Sequence, residues 1–180
     1  MNILIPGLGG SSETHWQSLW ELQRPESFLR VSQEDWNKPD CTVWVDKIQT
    51  VLESLPLEQL VLIGHSVGCA AVVHWLQKYR HAIKGVLLVA PSDVERADYP
   101  TYITGFVPLP LSKLACPGIV VASSNDHVVD PILARYFAEC WGCEYVEVQN
   151  AGHFEPSAGF GEWPFGLTLL DRLIQTASDD

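Results

Sequence analysis

A serine flanked by two glycines sits at an abrupt junction in the chain, in Gly64-His65-Ser66-Val67-Gly68. The residues before it, "LVLIG" (60–64), favour a strand, and the residues after it are small, apolar and helix-like. Gly-x-Ser-x-Gly in a strand–turn–helix setting can turn a serine hydroxyl out into the open as a nucleophile. Side chains two positions before and after such a turn would collide with it, so glycine suits both. The following helix begins just behind the serine. Its unpaired N–H groups, starting with Val67, can stabilise an oxyanion. The bland alternative is that Ser66 only caps that helix.

A serine hydroxyl needs a base, and the base needs an orienting acid. In this arrangement the order along the chain is Ser, then Asp or Glu, then His, with the last two beyond the carboxyl ends of later strands. Asp126 follows the strand-like "GIVVAS" (118–123), and His153 follows "EYVEVQ" (144–149). Asp130 precedes Pro131 and reads as a helix N-cap; it and Asp93 are the rival acids. Among the other histidines, His65 lies inside the turn, with its ring expected to face away from the base. His74 and His81 lie on or after the helix that follows. His127 adjoins Asp126, and His15 is a pocket candidate.

A second oxyanion donor is expected from the loop after the first strand, "PGLGGSSETHW" (6–16), with Leu8 or Gly9 supplying the N–H. A glycine-rich loop there could instead cradle phosphate. However, neither G-x-G-x-x-G nor G-x-x-x-x-G-K-[ST] is present, so no nucleotide or other cofactor is expected.

These residues require a scaffold, and the chain alternates accordingly. Strand-like runs occupy 2–6, 28–32, 60–64, 85–90, 118–123 and 144–149. Four are nearly continuously apolar, as parallel strands covered on both faces should be. The runs at 28–32 and 144–149 are mixed and suit sheet edges. Helical spacing appears in 39–55, where Trp44, Ile48, Val51, Leu52 and Leu55 share a face and Pro39 stands at the start. It appears again in 67–80, in 131–141, and in 164–177 behind Pro164. Alternation throughout predicts an α/β fold with a mainly parallel sheet. Residues 91–117 break the rhythm with five prolines and no clear period. This excursion is expected to be a pocket wall or lid, or else an ordered surface loop. Tyr99, Tyr102, Phe106 and Leu109 are its candidate substrate contacts, beside His15 and His65. Trp163 and Phe165 are expected to pack.

The 180 residues suit one domain, and 47% hydrophobic content allows a substantial core. The net charge of −11 with 11 Lys+Arg argues against nucleic acid and against an anionic membrane surface. No membrane span or leader is read from the sequence, and a cytoplasmic location is expected. Five cysteines, an odd number, do not suggest a disulfide framework. Cys140-Trp141-Gly142-Cys143 has redox spacing, but it ends a helix, where the dipole opposes a thiolate; Gly142 reads as its C-cap.

Four stretches, "PGLGG…HW", "GHSVGC", "SSNDHVV" and "GHFEPSAGFGEWPFG", together resemble the α/β-hydrolases. In particular, they resemble the compact serine hydrolases related to retinoblastoma-binding protein nine. The resemblance spans nearly the whole chain. It implies a three-layer α/β-hydrolase sandwich with six strands in the order 2-1-3-4-5-6 and no large cap. It implies a catalytic triad of Ser66, Asp126 and His153 acting on small acyl substrates, chiefly esters, through an acyl-enzyme. Two other readings stand beside it: an idle hydrolase fold that binds a protein partner, and a thiol redox protein using Cys140 and Cys143.

Overall fold

The computed structural model describes residues 1–176. Strands β1 (Asn2–Ile5), β2 (Phe28–Arg30), β3 (Val61–His65), β4 (Gly85–Val89), β5 (Gly118–Ser123) and β6 (Glu144–Val148) form one sheet. The order is β2-β1-β3-β4-β5-β6, and every pairing is parallel. β3 and β4 are buried throughout, whereas the edge strand β6 has only exposed and half-buried positions. Apolar continuity therefore separated the centre of the sheet from its edges.

Successive strand residues point to opposite faces, which gives two hydrophobic cores. Ile3, Ile5, Leu62, Val86, Leu88 and Val120 face helices α2 (Cys41–Leu52), α3 (Val67–Tyr79) and α4 (Pro131–Trp141). Leu4, Val61, Ile63, Leu87, Val89 and Val121 face α1 (Trp16–Gln23) and α5 (Pro164–Thr176). The result is the α/β-hydrolase architecture, with a sheet between two helical layers.

Local chemistry sets the helix ends. Asp40 caps α2 by accepting from Val43 N–H at 3.1 Å, so Pro39 lies outside the helix that it was expected to open. Pro164 does open α5. Residue 177, the last assigned to that helix from sequence, lies outside the described residues. Gly142 ends α4 at φ 71°, the left-handed conformation that glycine adopts most cheaply. Helix α1 was not expected. It is only eight residues long, and its N-cap is His15, whose Nδ1 accepts from Gln17 N–H at 3.2 Å.

The excursion from 91 to 117 carries no helix or strand, yet it is fastened to the body. Thr104 bridges Asp40, Val94 and Phe106 are buried, and Arg96 donates to the carbonyls of His127 and Val128. It is an ordered wall. All five cysteines are free. Burial pushes the Cys143 thiol up to about 12, which keeps it protonated and gives the redox reading no support. No helix among the described residues is long and apolar enough to cross a membrane.

Candidate active site

Ser66 leaves β3 at φ 56°, ψ −129°, a conformation that costs a residue with a Cβ roughly 1–3 kcal/mol. Both flanking glycines are sterically required. A Cβ on Gly64 would lie 2.8 Å from Cys69 Cα, and one on Gly68 would strike the carbonyl oxygens of Ile5 and Pro6. Gly7 is a third close approach: its Cβ would come within 2.8 Å of Ser66 Cβ. The serine does not cap α3 with its side chain. Its hydroxyl instead lies 3.0 Å from Ser92 Oγ.

Asp126 and His153 meet as their strand ends predicted. The Asp126 carboxylate contacts His153 Nδ1 through both oxygens, at 3.0 and 2.9 Å, and its side chain is fully covered. The acid also accepts from Val128 N–H at 2.8 Å. Neighbouring side chains hold the two loops together. Ser123 Oγ accepts from Ala151 N–H, Ser124 Oγ from Asn150 N–H, and Asn125 Oδ1 from Gly152 N–H. The whole Ser123-Ser124-Asn125 run thus serves to place Asp126 under His153, a role that spacing alone did not reveal. Asp130 accepts from Ile132 N–H at 2.8 Å and caps α4, which removes it as rival acid.

A cavity of about 540 Å³ opens over Ser66 and His153. Loop 6–16 contributes Leu8 and His15; the 91–117 wall contributes Ser92, Tyr99 and Ile103. Several expectations for this pocket need correction. Gly9 donates its N–H to Trp36 O at 2.8 Å, so it is not available as an oxyanion donor. Leu8 borders the cavity. Tyr99 lines the cavity, but Tyr102 is exposed to solvent away from it, and Phe106 is buried edge-on against Trp44. Leu109 lines a separate, smaller cleft. Trp163 packs in the core as expected, whereas Phe165 is about half exposed.

His65 faces His153 rather than away from it. The rings are 5.0 Å apart, and His65 Nε2 lies 2.9 Å from the His153 carbonyl, to which a neutral ring donates. Burial, with His153 and His15 nearby, lowers His65 well below the ordinary histidine value. Burial, Arg30 and His153 lower His15 to about 4. Both rings are therefore neutral at pH 7. His127 packs edge-on to His153 at 5.7 Å.

The model of the family described as "Serine hydrolase" matches residues 2–172. The chain belongs to the serine hydrolase family. The hydrolase YdeN of Bacillus subtilis (strain 168) is 27% identical over 178 residues, covering 93% of this chain and 92% of the relative. The crystal structure of a YdeN-like hydrolase from Pectobacterium atrosepticum is 36% identical, with a TM-score of 0.86, covering 98% of this serine hydrolase and 91% of the other chain. A monoacylglycerol lipase from Paleococcus ferrophilus shares the fold at 16% identity and a TM-score of 0.70, covering 97% and 93% of the two chains.

Proposed function

We propose that this serine hydrolase cleaves small acyl substrates, carboxylic esters foremost, with Ser66 as nucleophile, His153 as base and Asp126 as orienting acid. The observation that carries this reading is the covered Asp126 carboxylate on His153 Nδ1, beside a strained Ser66 at the floor of one cavity. The carboxylate holds the proton on Nδ1 and leaves Nε2 as the acceptor. A binding module would gain nothing from the backbone strain at Ser66.

The steps are as follows. Substrate binding closes the Ser66–His153 hydrogen bond, which is often long in an empty site. His153 Nε2 takes the Ser66 proton as Oγ bonds to the acyl carbon, and the carbonyl electron pair moves onto oxygen. The N–H groups of Val67 and Leu8 receive that oxyanion. Its collapse expels the alcohol, which takes the proton from His153. Water then repeats the sequence and frees Ser66. Ester chemistry comes ahead of amide chemistry because an alcohol leaves the tetrahedral intermediate more readily than an amine, and the cavity of about 540 Å³ has the size of a small-molecule site.

The test is labelling by a fluorophosphonate probe, with the modified residue mapped by mass spectrometry, alongside p-nitrophenyl acetate hydrolysis. Ser66 should be labelled, and Ser66→Ala should lose about 10³-fold or more of turnover while staying folded. A folded wild type that neither labels nor turns over would instead support the binding-module reading.

A further inference from the structure

Ser92 stands closer to Ser66 Oγ than any function assigned to it explains. His65 of β3 and Val89 of β4 are paired in register, so the residues that follow them, Ser66 and Ala90, leave adjacent strands at one height. Ala90 adopts φ 49°, a left-handed conformation disfavoured for any residue with a Cβ, and it is followed by Pro91. Two strained turns therefore lie side by side at the carboxyl edge of the sheet. The second carries Ser92, which is 2% exposed, to within 3.0 Å of Ser66 Oγ. Ser92 N–H also donates to the Ser66 carbonyl at 3.4 Å. Ser92 lines the same cavity, as does Tyr99.

We infer that Ser92 is a further catalytic residue, whose hydroxyl donates a hydrogen bond to Ser66 Oγ and supports the charge that develops there. The inference rests on the reading of Ser66 as nucleophile. Oγ carries one proton and two lone pairs. In acylation the O–H bond breaks toward His153 Nε2, and one lone pair forms the bond to the acyl carbon. The other lone pair accepts from Ser92 throughout. In deacylation the C–Oγ bond breaks, its electron pair returns to Oγ, and His153 returns the proton. Ser92 again faces the oxygen that gathers charge. A donor already oriented by a rigid turn supplies this stabilisation without reorganising.

The experiment compares wild type, Ser92→Ala and Ser92→Cys by rate of fluorophosphonate labelling at Ser66, by KM and kcat for p-nitrophenyl acetate, and by thermal melting. The Ala variant should label and turn over roughly ten- to hundredfold more slowly, the worth of one hydrogen bond to a charged group. KM should stay within about twofold, and the pH midpoint should not move, since His153 and Asp126 are untouched. Ser92→Cys replaces the hydroxyl by a somewhat larger, weakly donating thiol, so it should show the same loss and carries the comparison if the Ala variant does not fold. A folded variant labelling within about twofold of wild type, or faster, overturns the inference. So does a loss confined to KM, which would make Ser92 a wall contact. Failure of wild type to label at Ser66 strikes the nucleophile reading itself, whereas a labelled wild type with an unaffected variant strikes Ser92 alone.

Discussion

Asp126 and Asp130 lie four residues apart on one loop, and the structure gives them different hydrogen-bond partners. Asp126 presents both oxygens to His153 Nδ1 at 3.0 and 2.9 Å from a fully covered side chain. Asp130 is exposed and accepts from Ile132 N–H. In Asp126→Asn, Oδ1 can keep the Val128 N–H, leaving the amide NH₂ to face the ring. Nδ1 must then accept, which moves the imidazole proton to Nε2. A ring protonated at Nε2 cannot take the Ser66 proton, and the equivalent change in a triad costs about 10⁴ in kcat. Asp130→Ala loses only a cap, about 1 kcal/mol, or a fall of roughly 2–4 °C in Tm for a chain of this size. The assay is kcat for p-nitrophenyl acetate together with thermal melting of both variants. Asp126→Asn should be catalytically crippled with a near-normal melt, and Asp130→Ala should be active with a lowered one. An Asp126→Asn enzyme within tenfold of wild type, or an inactive Asp130→Ala, refutes the reasoning.

Acid should weaken the fold partly through His15. Its folded value of about 4 lies below the ordinary ~6.5, so between the two the unfolded chain binds more protons and stability falls as pH falls. From pH 7 to pH 5 this amounts to roughly 2 kcal/mol, and His65 acts in the same direction. His15→Asn keeps the cap on Gln17 and should flatten the urea midpoint against pH; an unchanged slope counts against it. Gly68→Ala should cost about 1–3 kcal/mol or more in chemical denaturation, because its methyl meets backbone carbonyls that cannot swing aside; a neutral result would contradict the packing. Against p-nitrophenyl esters, kcat/KM should rise about fourfold per added methylene, near 0.8 kcal/mol each, until the 540 Å³ cavity is filled. An unbroken rise to dodecanoate would mean that the 91–117 wall opens.

The sheet was legible because its strands obey one rule. Buried parallel strands must be apolar on both faces, so β1, β3, β4 and β5 stood out against the mixed β2 and β6. Helix α1 obeyed no such rule within reach. Eight residues give two turns, Leu22 is 77% exposed, and a histidine occupies the cap where serine or aspartate is usual. The spacing of Trp16, Leu19 and Trp20 at i, i+3 and i+4 was its only trace, and a glycine-rich loop ran straight into it.

The site divided along the same line. Ser66, Asp126 and His153 each follow the carboxyl end of a strand, where topology alone brings side chains together. The pocket wall follows no strand and has no period, so nothing in 91–117 told which side chains face inward. Tyr99 does, Phe106 packs on Trp44, and Tyr102 looks to solvent. Ser92 belongs with the first group although it sits at the start of the second. It stands three residues beyond the end of β4, as Asp126 stands three beyond the end of β5. The rule that points to Asp126 therefore also marks Ser92, and it does so on the strand adjacent to the one that leads into Ser66. A hydroxyl at that position lies 3.0 Å from Ser66 Oγ. That neighbourhood makes Ser92, rather than the aromatic wall, the part of this segment on which turnover should depend.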